Sequence, residues 1–121
     1  MNTIFFKLGA AIGAISVAIG AFGAHLLKPM LLASSKLDTF ETAVKYQFYG
    51  AFALLIVGLI PAEYKNKLNH LSGFLFAIGT LVFSGSLYLI CFTGINLFGA
   101  VAPIGGLCLI AGWCLLFFSI K

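Results

Sequence analysis

Four long apolar stretches, separated by short polar connections, dominate the chain. They predict membrane spans at about 8–27, 42–60, 71–92 and 97–120. The first stretch has no formal charge between Lys7 and Lys28, and roughly 20 helical residues at 1.5 Å each match the roughly 30 Å of bilayer hydrocarbon. A cleaved signal peptide is the alternative for this stretch, but the run is long for one and its glycines have the spacing of helix packing.

The fold class that follows is all-α membrane. We expect a four-transmembrane-helix up-down bundle, formed as a single integral membrane domain over residues 1–121. A short amphipathic segment is expected before helix two, because apolar residues recur there at three- and four-residue steps. Ser35 to Asp38 has the spacing of a capping box and predicts a helix start near Lys36, whereas Pro29 is expected to end the first helix.

Small residues lie on the predicted spans at spacings that allow close packing. Lipid gives helices no hydrophobic reason to associate, so the close approach of their backbones must hold them together. The predicted helix-packing positions are Gly9, Gly13, Gly20 and Gly23 in the first span, Gly85 in the third, and Gly105 and Gly106 in the fourth. Pro103 is expected to remove a hydrogen-bond donor from the fourth helix. A narrow ion or water path is the alternative interpretation of these small residues.

Composition excludes a soluble globular protein. Hydrophobic residues make up 62% of the chain and charged residues only 8%, against about 25% charged in a typical soluble domain. The net charge of +4 comes from scattered lysines that do not form the basic stripe of a nucleic-acid-binding protein. A small excess of lysine favours both termini in the cytoplasm, with Lys7, Lys65, Lys67 and Lys121 on that side and Lys28, Lys36 and Lys45 opposite.

Polar side chains are predicted to gather at one depth of the bundle. Helix rise places them roughly 3–15 Å below the face that carries the first connection, with little in the opposite leaflet beyond Ser72 and Ser119. His25 is the only ionisable residue deep enough to count as a functional candidate; its imidazole is expected either to bond Gln47 or a tyrosine hydroxyl, or to handle a ligand or proton. The candidate cluster is His25, Tyr46, Gln47, Tyr49, Ser84, Ser86 and Tyr88.

Several segments resemble the small membrane proteins similar to transmembrane protein 256, an uncharacterised family. The likeness begins with Gly20-Ala21-Phe22-Gly23-Ala24-His25 and extends over essentially the whole chain, through residues 40–47, 83–88, 103–106 and 111–113. The resemblance implies a bacterial cytoplasmic-membrane protein of four helices and implies no established activity. Members of that family usually have His where this chain has Gly50. A His there would lie close to His25, so this chain keeps one half of the pair.

The function favoured by the sequence is a structural or accessory subunit that packs with itself or with a larger membrane complex. The alternative is a lipid- or small-ligand-binding or transport protein that uses the polar cluster around His25. An enzyme is disfavoured because no nucleophile–base set is visible, and no cofactor or metal site is predicted. We expect contact with membrane lipid, no nucleic-acid partner, and a multi-pass location in the bacterial cytoplasmic (inner) membrane.

Overall fold

The computed structural model describes residues 2–120, and every regular element within them is helical. The all-α prediction is therefore confirmed for that range. Lys121, which was used in the lysine comparison, lies outside the described residues, as does Met1. The five α-helices are α1 (Thr3–Ala24), α2 (Lys28–Ala33), α3 (Leu37–Gly58), α4 (Lys67–Thr93) and α5 (Ala102–Ser119), with 3₁₀ turns at Ala62–Tyr64 and Asn96–Ala100.

The connection between α1 and α3 differs from the prediction. Pro29 does not end α1, which stops at Ala24; it lies in the first turn of α2, where its missing N–H is not needed. The capping box expected from Ser35 does not form, because Ser35 has a left-handed backbone with φ of 59°. Lys36 is the N-cap of α3, and its side chain makes no capping hydrogen bond.

The predicted fourth span is divided. A 3₁₀ turn precedes α5, and Pro103 lies in the first turn of α5 rather than inside a longer helix. The expected loss of an internal hydrogen bond therefore does not occur, because the first N–H groups of a helix have no intrahelical acceptor.

The four long helices form a row in chain order. α1 packs on α3, α3 packs on α4, and α4 packs on α5. Neighbours are antiparallel: Gly9 of α1 lies against Ala51 of α3, while Gly20 lies against Val44. The up-down order of the prediction is present, but the row does not close as a bundle would, since α1 and α5 make no extensive contact in the described part of the chain.

Three helical stretches are long and apolar enough to cross a membrane. They are Thr3–Ala24, Lys67–Thr93 and Asn96–Ser119. The remaining long helix, α3, has 22 residues but is less apolar, because Asp38, Glu41 and Lys45 lie in its first half. Length and composition thus support three crossings directly.

Two apolar clusters hold the row together. Phe5, Leu54 and Phe76 are central to the larger cluster, which joins α1, α3, α4 and α5. In the smaller cluster, Leu31 of α2 is fully buried against Phe40 and Cys91. The short helix α2 therefore packs its apolar side against the end of the row where α3 begins.

Candidate functional site

Two hydrogen bonds join α3 to α4 inside the row. The Tyr88 hydroxyl donates to Oε1 of Gln47 at 2.5 Å, and the Ser84 hydroxyl donates to the Ala43 carbonyl oxygen at 2.7 Å. Gln47 is 7% exposed and Ser84 is 2% exposed. Bonds between buried groups in lipid have no water to compete with them, so this pair fixes the register of the two helices.

Three other members of the predicted cluster do not join it. The Ser86 hydroxyl donates to the Val82 carbonyl oxygen of its own helix at 2.5 Å. Tyr46 and Tyr49 are 38% and 49% exposed. Their rings contact each other, with centroids 5.2 Å apart. Tyr46 also contacts the Phe83 ring of α4, with centroids 4.8 Å apart, so its contribution to the link between α3 and α4 is an aromatic contact rather than a hydrogen bond.

The structure does not bring His25 into the cluster. It is the exposed C-cap of α1, and its imidazole makes no hydrogen bond within residues 2–120. Gly20 lies opposite Val44 across the α1–α3 contact, so helix rise separates His25 from Gln47 by roughly 12 Å along the axis. The expected bond from His25 to Gln47 or a tyrosine is absent for this reason.

Gly50 is also far from His25. The antiparallel contact places Gly50 near the level of Gly9 and Gly13, roughly 20 Å along the axis from His25. A Cβ at position 50 would meet the side chain of Thr80 on α4 rather than any atom of α1. A histidine at this position would therefore not form a pair with His25 in this fold.

Thr80 is a buried polar residue that the sequence reasoning missed. It is 4% exposed, and its hydroxyl has no hydrogen-bond partner among the described residues. The hydroxyl lies against Gly50, in the space where a larger residue would place its side chain. Its spacing of four residues from Ser84 is a signal that could have placed both on one face of α4.

The opposite end of the row holds a hydrogen-bonded group that was also missed. We call it the amide end: Asn2, Asn66, Asn69 and the backbone that they bind. Asn66 and Asn69 form a reciprocal capping box at the start of α4. Asn66 also donates to the Ser119 carbonyl oxygen at 2.9 Å, and Asn69 donates to the Tyr64 carbonyl oxygen at 2.7 Å. Polar side chains therefore lie at both ends, contrary to the expectation of a single polar leaflet.

The predicted packing glycines fall into two groups. A Cβ at Gly9 would lie 2.8 Å from the Ala51 carbonyl oxygen, and a Cβ at Gly23 or Gly105 would meet the Phe40 ring or the Phe83 backbone at still closer range. These three positions need glycine. Gly13, Gly20 and Gly106 have only ordinary contacts, and Gly85 has nothing within 4 Å of its Cβ position.

Other close approaches involve glycines outside the predicted packing set. A Cβ at Gly58 would lie 2.6 Å from the Phe6 backbone nitrogen, and one at Gly79 would lie 3.0 Å from the Gly105 carbonyl oxygen. Gly73 and Gly112 face the rings of Phe5 and Phe76. Their small size was visible in the sequence, but which face met a neighbouring helix was not.

Metal-binding chemistry has no support in the described residues. No group of three or more His, Cys, Asp or Glu side chains within 2–120 is placed to hold a metal ion. The cysteines Cys91, Cys108 and Cys114 are all free thiols.

Comparison with known proteins places the chain in a family. The family described as "Protein of unknown function (DUF423)" matches residues 19–106. The chain belongs to the DUF423 family. Curated relatives include a UPF0382 membrane protein of Staphylococcus haemolyticus, which is 42% identical over 96% of this chain and 93% of its own length.

Two further curated relatives come from other bacteria. The UPF0382 membrane protein YwdK of Bacillus subtilis is 34% identical, over 93% of this chain and 92% of its own length. The UPF0382 inner membrane protein YgdD of Escherichia coli is 34% identical, over 96% of this chain and 88% of its own length. No solved structure matches the chain. This DUF423 protein is therefore a small membrane protein of an uncharacterised family.

The DUF423 match includes the whole link between α3 and α4. It contains Gln47, Ser84 and Tyr88 and ends at Gly106, near the start of α5. Asn2 and Ser119, which take part in the amide end, lie outside the matched range. The likeness to transmembrane protein 256 is a finer relationship that stays a prediction.

Proposed function

We propose that this DUF423 protein is a structural or accessory subunit without enzymatic activity, which packs with itself or with a larger membrane complex. The observation that carries the proposal is the use of its buried polar groups. Ser84 and Tyr88 donate to neighbouring parts of the same chain, as do the exposed Asn66 and the buried Asn69. Such bonds fix helices relative to one another, which supports a structural rather than a chemical role for these side chains.

The proposal includes four membrane crossings, by α1, α3, α4 and α5. α3 is the least apolar, yet it contacts α1 at Gly9, Gly20 and Gly23 along most of its length. Because α1 is long and apolar enough to span, a helix packed along it must occupy the same depth. Glu41 and Lys45 lie on exposed positions of α3, where long side chains reach the headgroups.

Exposed apolar faces on the outer helices favour assembly. Leu107 and Phe117 of α5 are 66% and 75% exposed, and Val17 of α1 is 61% exposed. Each outer helix has a long partner on one side only, so its other side meets lipid or another membrane protein. No basic stripe offers a nucleic-acid surface.

The proposed location is the bacterial cytoplasmic membrane with both termini in the cytoplasm. The name of the Escherichia coli relative includes "inner membrane", which supports the membrane. The lysine excess supports the orientation. The likeness to transmembrane protein 256 is part of this proposal and rests on the segments quoted above. The alternative that centres a ligand site on His25 loses support, since that side chain is exposed and unbonded.

Cross-linking in native membranes tests the accessory role. Cys114 is exposed on α5, whereas Cys91 is buried, so mild oxidation or a short bis-maleimide should link Cys114 to a neighbouring chain. Mass spectrometry then identifies that chain, and extraction in polymer-bounded lipid discs gives its stoichiometry. We expect a defined homo-oligomer or a heteromeric complex, and C114S should abolish the cross-link while leaving the complex in the discs. A protein that is monomeric in the discs, with no partner at fixed stoichiometry, would overturn the proposal.

A further inference from the structure

A cavity of about 390 Å³ lies at the amide end, where α1 and α4 begin. Its apolar wall includes Phe5 of α1 and Val57 of α3. Its polar wall is formed by Asn2 and by five residues of the segment 65–70. We call it the amide-end cavity. Unlike the cavity between α1 and α4 further along the row, it is lined by side chains that carry charge.

The charge that lines the amide-end cavity has one sign. Lys65 and Lys67 are exposed and line it, and His70 adds a ring N–H donor. Among residues 2–120, no acidic side chain lines it, since Glu63 of the same connection lies outside the lining. A lysine ammonium group has three donors and no acceptor. The cavity therefore suits an anion that can accept several hydrogen bonds.

Neighbouring contacts hold the neutral donors of this cavity in place. The His70 ring contacts the rings of Phe5 and Phe74, with centroids 5.5 and 5.0 Å apart. The Asn2 side-chain oxygen accepts from the Phe5 N–H, which leaves the Asn2 N–H₂ group able to donate elsewhere. Two donors are thus positioned by the fold before any ligand binds.

The two lysines project from a backbone that is also fixed. The reciprocal capping box between Asn66 and Asn69 holds the segment that carries Lys65 and Lys67. Because Asn66 already accepts from the Asn69 backbone N–H, the attraction for an anion comes from the side chains and not from the helix terminus.

Depth places the amide-end cavity among the lipid headgroups. α1 and α4 are both long and apolar enough to cross a membrane, and both begin at this cavity. The 27 residues of α4 are about 40 Å long, which exceeds the roughly 30 Å of bilayer hydrocarbon. The start of α4 therefore lies at the level where the phosphates of phospholipids are found.

The surface beside the cavity is apolar on the side that faces the bilayer interior. Leu71 and Phe74, in the next turn of α4, are 49% and 48% exposed, and Ile4 of α1 is 76% exposed. Phe74 is also the residue whose ring contacts His70. A ligand that uses both surfaces must be anionic at one end and apolar at the other, which a free anion or an acidic peptide is not.

We propose that the amide-end cavity binds the headgroup of an anionic phospholipid. The phosphate accepts hydrogen bonds from Lys65, Lys67 and His70, and the acyl chains lie along Phe74 and Ile4. This site does not depend on the accessory role, because it concerns a lipid and not a protein partner.

A comparison of two lipids with the same acyl chains tests the charge preference. The delipidated protein in detergent is titrated with dioleoyl phosphatidylglycerol, which is anionic, or with dioleoyl phosphatidylcholine, which is zwitterionic, and native mass spectrometry counts the bound lipids. We expect one tightly held phosphatidylglycerol. Each lysine near an anionic headgroup contributes about fivefold, so the preference should be about 25-fold. Equal binding of the two lipids would overturn the proposal.

Two double variants with the same change in net charge test the location. Lys65→Gln with Lys67→Gln should abolish the preference and leave the unfolding midpoint in the same detergent unchanged, because both side chains are exposed. Lys28→Gln with Lys45→Gln is the matched control, since neither residue lines the amide-end cavity, and it should keep the preference. Equal loss in the two double variants would show that net charge alone attracts the lipid and would overturn the proposal.

A third variant tests the position of the phosphate. His70→Phe keeps an aromatic ring beside Phe5 and Phe74 but removes the N–H donor, so it should weaken phosphatidylglycerol binding about fivefold, the value of one hydrogen bond. Full affinity in this variant would contradict the proposed contact. Displacement of the bound lipid by millimolar inorganic phosphate would assign the cavity to a free anion and would also overturn the proposal.

Discussion

The two ends of the helix row are held together by different means. At the amide end, Asn66 and Asn69 donate to backbone carbonyls of neighbouring segments. The Asn2 side chain caps α1 by accepting from the Phe5 N–H, and the Asn2 backbone N–H donates to the Gly58 carbonyl oxygen at 2.8 Å. At the α2 end, the N-caps of α2, α3 and α5 make no side-chain hydrogen bond. Leu31 and Phe40 pack there instead. Lys36 reaches Asn96 across an exposed contact of 3.3 Å.

Backbone spacing follows the same division. α1 and α3 approach so closely near the amide end that Gly9 and Gly58 leave no room for a Cβ against the opposing backbone. Towards the α2 end, Gly20 faces only a side chain, at 3.4 Å, and a cavity of about 230 Å³ lies between α1 and α4. Directional hydrogen bonds fix one end, whereas the other end is held by apolar contacts that tolerate adjustment.

The largest expected effect in the α1–α3 interface is at its closest backbone contact. Gly58→Ala places a methyl group 2.6 Å from the Phe6 backbone nitrogen, so the helices must separate and the unfolding free energy should fall by about 3 kcal/mol. Gly20→Ala, at the looser end of the same interface, should change it by less than about 1 kcal/mol. Thermal or denaturant unfolding in a fixed detergent measures both. Equal losses would show that the interface is uniformly tight.

A second pair of variants compares the hydrogen bonds of the two ends. Asn69→Ala removes half of the capping box and the bond to the Tyr64 carbonyl oxygen from a buried site, and should lower the unfolding free energy by about 2 kcal/mol. Asn96→Ala removes only the exposed contact with Lys36 and should lower it by less than about 0.5 kcal/mol. The same unfolding assay applies, and a larger loss for Asn96→Ala would reverse the comparison.

A third pair of variants lies between the ends, on one face of α4. Ser84→Ala removes the bond to the Ala43 carbonyl oxygen and should lower the unfolding free energy by about 1 kcal/mol. Thr80→Val replaces a buried, unpaired hydroxyl with a methyl group and should raise it by up to about 1 kcal/mol. The critical result is that the two changes in unfolding free energy have opposite signs. They differ because the Ser84 hydroxyl has an acceptor and the Thr80 hydroxyl has none among the described residues. A loss of stability in Thr80→Val would mean that the hydroxyl is bonded.

The sequence predicted what depends on composition and periodicity. The apolar stretches located all four long helices to within a few residues, although α1 begins at Thr3 and α3 begins at Leu37, outside the apolar cores that defined the spans. Gln47, Ser84 and Tyr88 were placed at a common depth, and the structure brings them together. Helix rise is regular enough to give depth without a structure.

Rotation about each helix axis and the paths of the connections could not be predicted. His25 was at a suitable depth in a straight helix, but α1 ends at Ala24 and the chain turns there. Gly85 matched the packing pattern but lines the cavity between α1 and α4. Asn66 and Asn69 fall between the predicted second and third spans, and their role as a helix start was missed because a reciprocal Asn–Asn capping box departs from the usual Ser/Thr–Glu pattern.

The row arrangement has a consequence for biogenesis. Each of α3, α4 and α5 packs on the long helix that precedes it in the chain, so α3 finds its partner surface on α1 before α4 has been synthesised, and α5 adds to the edge that α4 provides. Contacts between neighbours in sequence form quickly and do not require distant segments to meet first. The order of insertion and the order of assembly are therefore the same, and the Asn66–Ser119 bond closes last.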